Sequence, residues 1–240
     1  MSIAQLSDNI LLIDKPAGMT SFDVIRQLRR QTGVRKFGHA GTLDPLATGL
    51  LVLGVGPGTK QLAHMVGLDK EYVAEILLGQ SRRTSDMEGE IIECVSISAE
   101  QYTDGMIAEA IQSLVGTHDL PVSLYSAIKK DGVPLYKHAR RAEQRSSQAA
   151  TVEIPYRRMT VYQAESIGIT EHTHEAFRHI KVHVRFSVTS GTYIRSLAEE
   201  LGRLLDVPAV LYSLRRTRVG DFMVEDAVQP GAVTQLSVIE

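Results

Sequence analysis

The chain has 240 residues, of which 43% are hydrophobic and 22% are charged. These proportions are typical of one large or two modest globular domains, and they exclude disordered, collagen-like and coiled-coil proteins. The single cysteine, Cys94, excludes a disulfide framework and a cysteine-rich zinc module. The longest strongly apolar stretch, 49–56, is too short to span a membrane, and the N-terminus has no signal-peptide pattern, so we expect a cytoplasmic protein.

The net charge of −2 conceals three basic segments. Segment 26–36 carries five basic residues and no acid, segment 129–145 carries six basic and two acidic residues, and segment 215–218 carries three arginines. A polyanion requires only one basic face, so the net charge does not exclude a nucleic-acid partner. Solvated basic helix faces are the alternative interpretation.

The first third of the chain predicts a strand over 9–13 and an amphipathic helix from Ser21, its cap, to about Thr32. We expect the buried side of this helix to carry Phe22, Val24, Ile25 and Leu28. Two apolar runs, 50–55 and 70–78, predict buried strands.

The later elements are a helix, a strand and a second helix. Ser98 followed by Gln101 is a capping-box pattern, which predicts a helix to about Val115. Its buried side is expected to carry Met106, Ile107, Ala110, Ile111 and Leu114. Alternation over 180–188 predicts a half-buried strand, and 193–205 predicts a helix. Without regular βαβ alternation, these elements indicate an α+β fold around a largely antiparallel sheet, in a single domain over 1–240.

Two further motifs have structural interpretations. Gly54-Val-Gly-Pro-Gly-Thr-Lys60 has neither the P-loop nor the dinucleotide-binding spacing, so it predicts a glycine-rich turn. His172, His174, His179 and His183 have no cysteine or carboxylate at metalloenzyme spacing. We therefore expect surface histidines and no metal site. The alternative function of a metal-dependent hydrolase has no support in the sequence besides these four histidines.

The loop from Gly38 to Leu51 places His39, Asp44 and three glycines ahead of a buried strand. Glycines permit close backbone approach, as a site for a flat ligand requires. Alternatively, Asp44 caps a helix whose first residue is Pro45. Two aromatic residues, Tyr72 and Tyr193, either belong to this candidate site or are ordinary aromatic residues at the ends of strands.

Six segments in order resemble the TruB family of pseudouridine synthases, which modify the T-arm of tRNA. The resemblance runs over nearly the whole chain and is carried by Asp14–Ser21, Gly38–Leu51, Asp69–Val73, Tyr125–Lys129 with Leu135-Tyr136 and Ala139-Arg140, Gly191–Arg195 and Leu214–Arg216. It implies the pseudouridine synthase fold, a mixed and mainly antiparallel sheet flanked by helices. It also implies isomerisation of uridine to pseudouridine at position 55 of the T-loop, by base flipping.

The resemblance assigns the chemistry to three residues. Asp44 matches the catalytic aspartate, and Arg195 matches the cation that keeps this carboxylate ionised. Tyr72 matches the tyrosine that stacks on the target base and is implicated in proton removal at C5. The reaction involves no redox or phosphoryl-transfer step, so no cofactor and no metal are expected.

The resemblance also implies how tRNA is bound. His39 matches the residue that occupies the space of the flipped base. Tyr193, Leu214 and Lys15 match substrate-binding positions. An RNA-contacting lobe is expected over about 121–152, with a turn at Asp131-Gly132. Its expected backbone contacts are Lys129, Lys130, Arg140 and Arg141. The partner is the T-arm stem-loop of tRNA, and we expect a monomer.

Two departures from the family pattern stand out. The pair of prolines usual before the Tyr-Ser-Ala motif is absent at Pro121–Tyr125. About 20 residues follow Gly220, too few for a C-terminal PUA domain, so we expect either a short form or a weaker RNA grip. A non-catalytic tRNA-folding factor is the alternative function, but the presence of every catalytic position favours an enzyme.

Overall fold

The computed structural model describes residues 9–123, 125, 129–130, 133–135, 154–174 and 177–236. The chain forms two compact units. Unit 1 comprises Met1–Ala74, Arg185–Ser190 and Ser213–Glu240, and unit 2 comprises Glu75–Val184 and Gly191–Tyr212. None of the helices within the described ranges is both long and apolar enough to cross a bilayer.

Strands dominate the described residues. In chain order they are β1 (Ile10–Lys15), β2 (Phe37–His39), β3 (Thr48–Val55), β4 (Lys70–Leu78), β5 (Gln80–Arg82), β6 (Ile91–Cys94), β7 (Gly116–Pro121), β8 (Lys129–Lys130), β9 (Val133–Pro134), β10 (Tyr156–His174), β11 (Phe177–Val188), β12 (Ala209–Val219) and β13 (Phe222–Met223). The α-helices are α1 (Ser21–Thr32), α2 (Leu62–Val66), α3 (Asp104–Gln112) and α4 (Ile194–Leu204). Short 3₁₀ turns lie at Gly56–Lys60, Val224–Asp226 and Pro230–Ala232.

The main sheet has nine strands in the order β1-β3-β12-β4-β11-β10-β7, with β2 paired to β3 and β13 paired to β12. The pair β12 and β3 is parallel, whereas β1 with β3 and β10 with β7 are antiparallel. This mixed sheet with helices confirms the predicted α+β fold.

In unit 1, α1 packs on β1 and β3 through the predicted apolar residues Val24, Ile25 and Leu28. Two details of this helix were predicted wrongly. The cap is Thr20, which forms a capping box with Asp23. Phe22 is 54% exposed, because it lies beyond the edge of the buried stripe.

In unit 2, the helix expected from Ser98 begins later. Ser98 and Gln101 form a separate turn, and α3 starts at Asp104 after the cap Thr103. The capping-box pattern therefore closes a turn instead of opening the helix. Met106 is exposed, contrary to the prediction, whereas the other four predicted core positions of this segment are buried.

The basic middle segment is described only in part. β8 and β9 pair antiparallel, with Lys129 opposite Pro134 and Lys130 opposite Val133. The predicted turn itself, Asp131-Gly132, lies outside the described residues. Arg140 and Arg141 lie outside the described residues, as does most of the predicted lobe. The RNA-backbone contacts of Lys129, Lys130, Arg140 and Arg141 therefore stay predictions.

The glycine-rich segment after β3 serves packing. A Cβ on Gly58 would lie 2.3 Å from the backbone oxygen of Asn9, and one on Gly54 would lie 2.8 Å from the oxygen of Gly58. Only glycine fits such close backbone contacts. The predicted structural turn is confirmed.

Candidate active site

The loop that carries Asp44 connects β2 to β3 and contains no helix. The alternative in which Asp44 caps a helix is therefore wrong. Instead, the amide of Ala47 donates to the carbonyl of Asp44 at 3.1 Å, which closes a tight turn. At the start of the loop, the amide of Ala40 donates to the carbonyl of Val52 at 3.0 Å.

Hydrogen bonds with Gly18 and with Ser21, the first residue of α1, fix the loop on both sides of Asp44. The amide of Leu43 donates to Ser21 Oγ at 2.8 Å. The amide of Gly18 donates to the carbonyl of Pro45 at 2.8 Å. Because these bonds flank Asp44 directly, its main chain is held in one conformation.

Lys15 also donates a hydrogen bond to this loop. Its side chain is completely buried, and Nζ donates to the carbonyls of Met19 at 2.6 Å, Pro16 at 2.8 Å and Pro45 at 3.3 Å. Lys15 was expected to bind substrate. Its contact with substrate stays a prediction.

Arg216 is a second buried cation at this loop, with only 2% of its surface exposed. Its guanidinium donates to the carbonyls of Leu50 at 2.8 Å, Gly41 at 3.2 Å and Thr42 at 3.4 Å. Gly49 has φ of +97°, and a Cβ there would lie 2.2 Å from the Arg216 oxygen. Arg216 belongs to a recognised motif, but its hydrogen bonds to this loop were not predicted; Gly49 was the available signal.

His39, at the end of β2, is neutral around pH 7. Burial lowers the pKa of its imidazole, and the charge of Arg216 lowers it further. The amide of Gly41 donates to His39 Nδ1 at 3.3 Å, which places the ring proton on Nε2. His39 therefore offers an N–H donor and a flat, uncharged ring.

Tyr72 and Leu214 are buried side chains of unit 1, with exposures of 8% and 9%. Tyr72 shares one face of β4 with Lys70, because side chains two residues apart point the same way. Leu214 lies on β12, and its carbonyl accepts a hydrogen bond from Thr48 Oγ1 at 3.4 Å.

Lys70 is the third buried cation of unit 1. Its ammonium donates to the carbonyls of Val66 and Leu68 and to Ser190 Oγ. Burial lowers its pKa to about 8, with a further contribution from Arg216. Its ammonium thus ties β4, the strand of Tyr72, to the end of α2.

Arg195 lies in unit 2, in the first turn of α4, and is 5% exposed. Its guanidinium donates to the carbonyls of Thr84 at 3.0 Å and Tyr125 at 3.2 Å and to Ser123 Oγ at 3.5 Å. Nη1 also lies 3.6 Å from a carboxylate oxygen of Asp86. This buried network, which sequence analysis missed, fixes the position of the Arg195 charge.

Asp86 is itself locked in place. It is 2% exposed, and its Oδ1 accepts hydrogen bonds from Thr84 Oγ1 and from the amide of Glu88. Tyr193, the cap of α4, donates its amide to Met159 Sδ at 3.4 Å. Asp86 and Tyr193 therefore belong to rigid local structure around Arg195.

The structure thus groups the predicted site residues by unit. Unit 1 holds Lys15, His39, Asp44, Tyr72 and Leu214, and unit 2 holds Tyr193 and Arg195. Within unit 1 the loop of Asp44 contacts Lys15 and Arg216. The pairing of Asp44 with Arg195 stays a prediction.

The histidines of β10 and β11 are not all at the surface. His179 is 1% exposed, with Nε2 3.9 Å from Cys94 Sγ, so the prediction of a surface position was wrong for this residue. His183 Nδ1 lies 3.4 Å from a Glu75 oxygen. Across the described ranges, no three histidine, cysteine or carboxylate side chains are grouped so that they could hold a metal ion.

Solved structures share this fold. One is a structure of an H/ACA RNP bound to a substrate RNA containing 2'-deoxyuridine, with a TM-score of 0.64 and 24% identity over 92% of this chain and 51% of that chain. Another is an archaeal box H/ACA sRNP complex, with a TM-score of 0.63 and 24% identity over 93% of this chain and 52% of that chain. The chain spans about half the length of these structures, and the likeness concerns the fold.

Sequence relatives are more similar. The tRNA pseudouridine synthase B of Corynebacterium efficiens is 44% identical over 222 residues, 92% of this chain and 70% of that protein. The protein of the same name from Mycobacterium leprae is 45% identical over 225 residues, 93% of this chain and 68% of that protein. The model of the TruB family pseudouridylate synthase N-terminal domain matches residues 29–194. This chain therefore belongs to the TruB family of pseudouridylate synthases.

Proposed function

We propose that this chain isomerises uridine to pseudouridine in tRNA, at position 55 of the T-loop. Its similarity to proteins named tRNA pseudouridine synthase B supports tRNA as the substrate. The resemblance of its motifs to the family supports the T-loop. The observation that carries the proposal is that hydrogen bonds hold the main chain around Asp44 in place. The partners in these bonds are Ser21, Gly18, Lys15 and Arg216.

The proposed reaction breaks the bond between C1' of the sugar and N1 of uracil. The carboxylate of Asp44 acts as nucleophile or stabilises the electron-poor sugar, as carboxylates do in glycoside chemistry. The base then turns, and C5 bonds to C1'. C5 loses its proton and N1 gains one, so the product is an isomer of the substrate.

The other residues have supporting roles in this proposal. Tyr72 stacks on the base and takes part in removal of the C5 proton. His39, with its neutral ring, occupies the space that the flipped nucleotide leaves. A neutral ring suits this role because an uncharged aromatic surface stacks on neighbouring bases. The resemblance to the family gives Leu214 and Tyr193 roles in binding the substrate.

Arg195 supplies the cation that keeps Asp44 ionised before substrate binds. The network of Asp86, Thr84, Ser123 and Tyr125 supports this role, because it holds the guanidinium in one position. Preorganised charge of this kind needs little rearrangement during the reaction.

The proposal is tested with an unmodified tRNA transcript labelled in uridine, followed by mapping of the pseudouridine formed. The wild-type chain is expected to convert one T-loop uridine. Asp44→Asn is expected to lower single-turnover conversion by at least about a thousandfold, because the amide is not a nucleophile. Asp44→Asn is expected to bind tRNA nearly as well as the wild type.

The matched control is Asp221→Asn, since Asp221 is an exposed aspartate of the same unit. It is expected to leave conversion unchanged. Full conversion by Asp44→Asn would overturn the mechanism. Assistance of tRNA folding without any conversion by the wild type would replace it with the non-catalytic folding factor.

A further inference from the structure

The outer face of α1 carries an aromatic ring among arginines. Four residues of α1 are spaced four, three and one positions apart, so they lie on one side of the helix. They are Phe22, Arg26, Arg29 and Arg30. The opposite side is the apolar stripe that packs on β1 and β3. We call these four residues the α1 stripe.

The arginines are arranged around the ring of Phe22. The guanidinium carbons of Arg26 and Arg29 lie 5.9 Å and 5.8 Å from the ring centroid. Phe22 is 54% exposed, and Arg30 is also exposed. The ring and the guanidinium groups thus form one exposed surface that combines a flat aromatic group with positive charge.

Little negative charge opposes this surface. Between positions 21 and 36 the sequence has five basic residues and one acid, Asp23. Asp23 lies 3.2 Å from Arg26, but its other oxygen accepts hydrogen bonds from the amide and hydroxyl of Thr20 in the capping box. The stripe therefore keeps a positive excess that suits a polyanion.

The positive surface leads toward the candidate site along the chain. Arg35 and Lys36 are exposed and immediately precede β2, which ends at His39. The carbonyl of Lys36 accepts a hydrogen bond from the amide of Gly56 at 2.9 Å, which holds this segment beside the end of β3. Exposed cations thus continue along the chain from α1 to the start of the strand that ends at His39.

We propose that the α1 stripe is an RNA-backbone contact, in which the arginines bind phosphates and Phe22 stacks on an exposed base or ribose. This inference rests on the proposed function, because it takes tRNA as the ligand. Guanidinium groups match phosphate geometry, and aromatic rings bind bases without sequence preference. The stripe therefore adds affinity and orientation for any tRNA, and takes no part in bond chemistry.

The test compares binding of an unmodified tRNA transcript over a series of salt concentrations. Arg26→Gln combined with Arg30→Gln is expected to weaken binding about tenfold, and to lower the slope of log affinity against log salt by about 2. Phe22→Ala is expected to weaken binding roughly fivefold with the slope unchanged, because stacking releases no counterions. Conversion at saturating enzyme is expected to stay at the wild-type rate.

The matched control is Arg178→Gln combined with Arg203→Gln, which removes two exposed arginines of unit 2. It is expected to leave both affinity and salt slope near wild type. Equal losses in the control and the stripe variant would overturn the proposal, as would a stripe variant that binds like wild type. A wild-type chain that binds tRNA without modifying it would overturn the proposed function alone.

Discussion

The two units hold their proposed catalytic groups by different means. In unit 1, the buried cations Lys15 and Arg216 donate to main-chain carbonyls of the loop that carries Asp44. In unit 2, the buried guanidinium of Arg195 faces the carboxylate of Asp86 and is surrounded by further oxygen acceptors. The first arrangement fixes a backbone shape, and the second fixes the position of a charge.

This difference follows from what each group must do. In the proposed mechanism Asp44 needs a rigid main chain, because its short side chain follows the backbone closely. Arg195 has a long, flexible side chain, so its guanidinium needs partners at its far end. We therefore expect variants of the two units to behave differently. Loss of the backbone contacts in unit 1 should lower the free energy of unfolding, whereas loss of the charge partner in unit 2 should lower activity.

The largest effect is expected for Arg216→Met. The variant leaves the carbonyls of Gly41, Thr42 and Leu50 without their donor, at about 1–3 kcal/mol for each buried group. We expect the free energy of unfolding in urea to fall by at least about 3 kcal/mol, with pseudouridine formation lost in parallel.

The neighbouring Arg215→Met is the control. Arg215 is 41% exposed and pairs with Asp14 at 2.9 Å, so its removal is expected to cost about 1 kcal/mol or less. Equal losses of stability in the two variants would show that the Arg216 contacts do not stabilise the loop.

A smaller loss of stability is expected for Asp86→Asn. Asparagine keeps a carbonyl oxygen for Thr84 and Glu88 but removes the negative charge beside Arg195. We expect the free energy of unfolding to fall by about 2 kcal/mol, less than for a buried charge that loses every partner. The rate at saturating tRNA is expected to fall at least about tenfold with affinity nearly unchanged, because one misplaced charge affects only the reacting state.

Asp119→Asn gives the comparison for this prediction. Asp119 pairs with Arg158 at 3.1 Å in the same unit, but both side chains are more than half exposed. Its loss is expected to leave the rate unchanged. If Asp86→Asn lowered the affinity for tRNA but left the rate unchanged, the network around Arg195 would contribute to tRNA binding and would not be needed to position the Arg195 charge.

The sequence predicted those elements whose pattern is local. α1, β4 and α4 follow from apolar spacing, and the structure confirms them within one residue. The prediction was wrong at Phe22, which was expected in the core although its place on the helix lies beyond the edge of the buried stripe.

The residues of the candidate site also divide into those that the sequence predicted and those that it did not. Its loop was recognisable because glycines and Asp44 lie in one continuous motif. Arg216 and Asp86 were missed because their partners are far away in sequence: Arg216 contacts Leu50 across 166 positions, and Asp86 lies 109 positions from Arg195. No period or spacing in a single sequence encodes such pairs.

The smallest expected effect concerns Lys70, which, like Arg216, is a buried cation of unit 1 held by backbone carbonyls. Its pKa of about 8 in the folded chain lies below the ordinary value of 10.5. Between these values the unfolded chain binds more protons than the folded chain, so the free energy of unfolding rises with pH. For this group alone, the rise from pH 8 to pH 9 is about 1 kcal/mol.

Other groups titrate in the same range, so the measurement is a difference between variants. The free energy of unfolding of the wild type minus that of Lys70→Met is expected to increase from pH 8 to pH 9. For Lys60→Met, an exposed lysine of the same unit, the corresponding difference is expected to be flat. A flat or falling difference for Lys70 would mean that the hydrogen bonds of its ammonium offset its burial, and that its pKa is not lowered in the folded chain.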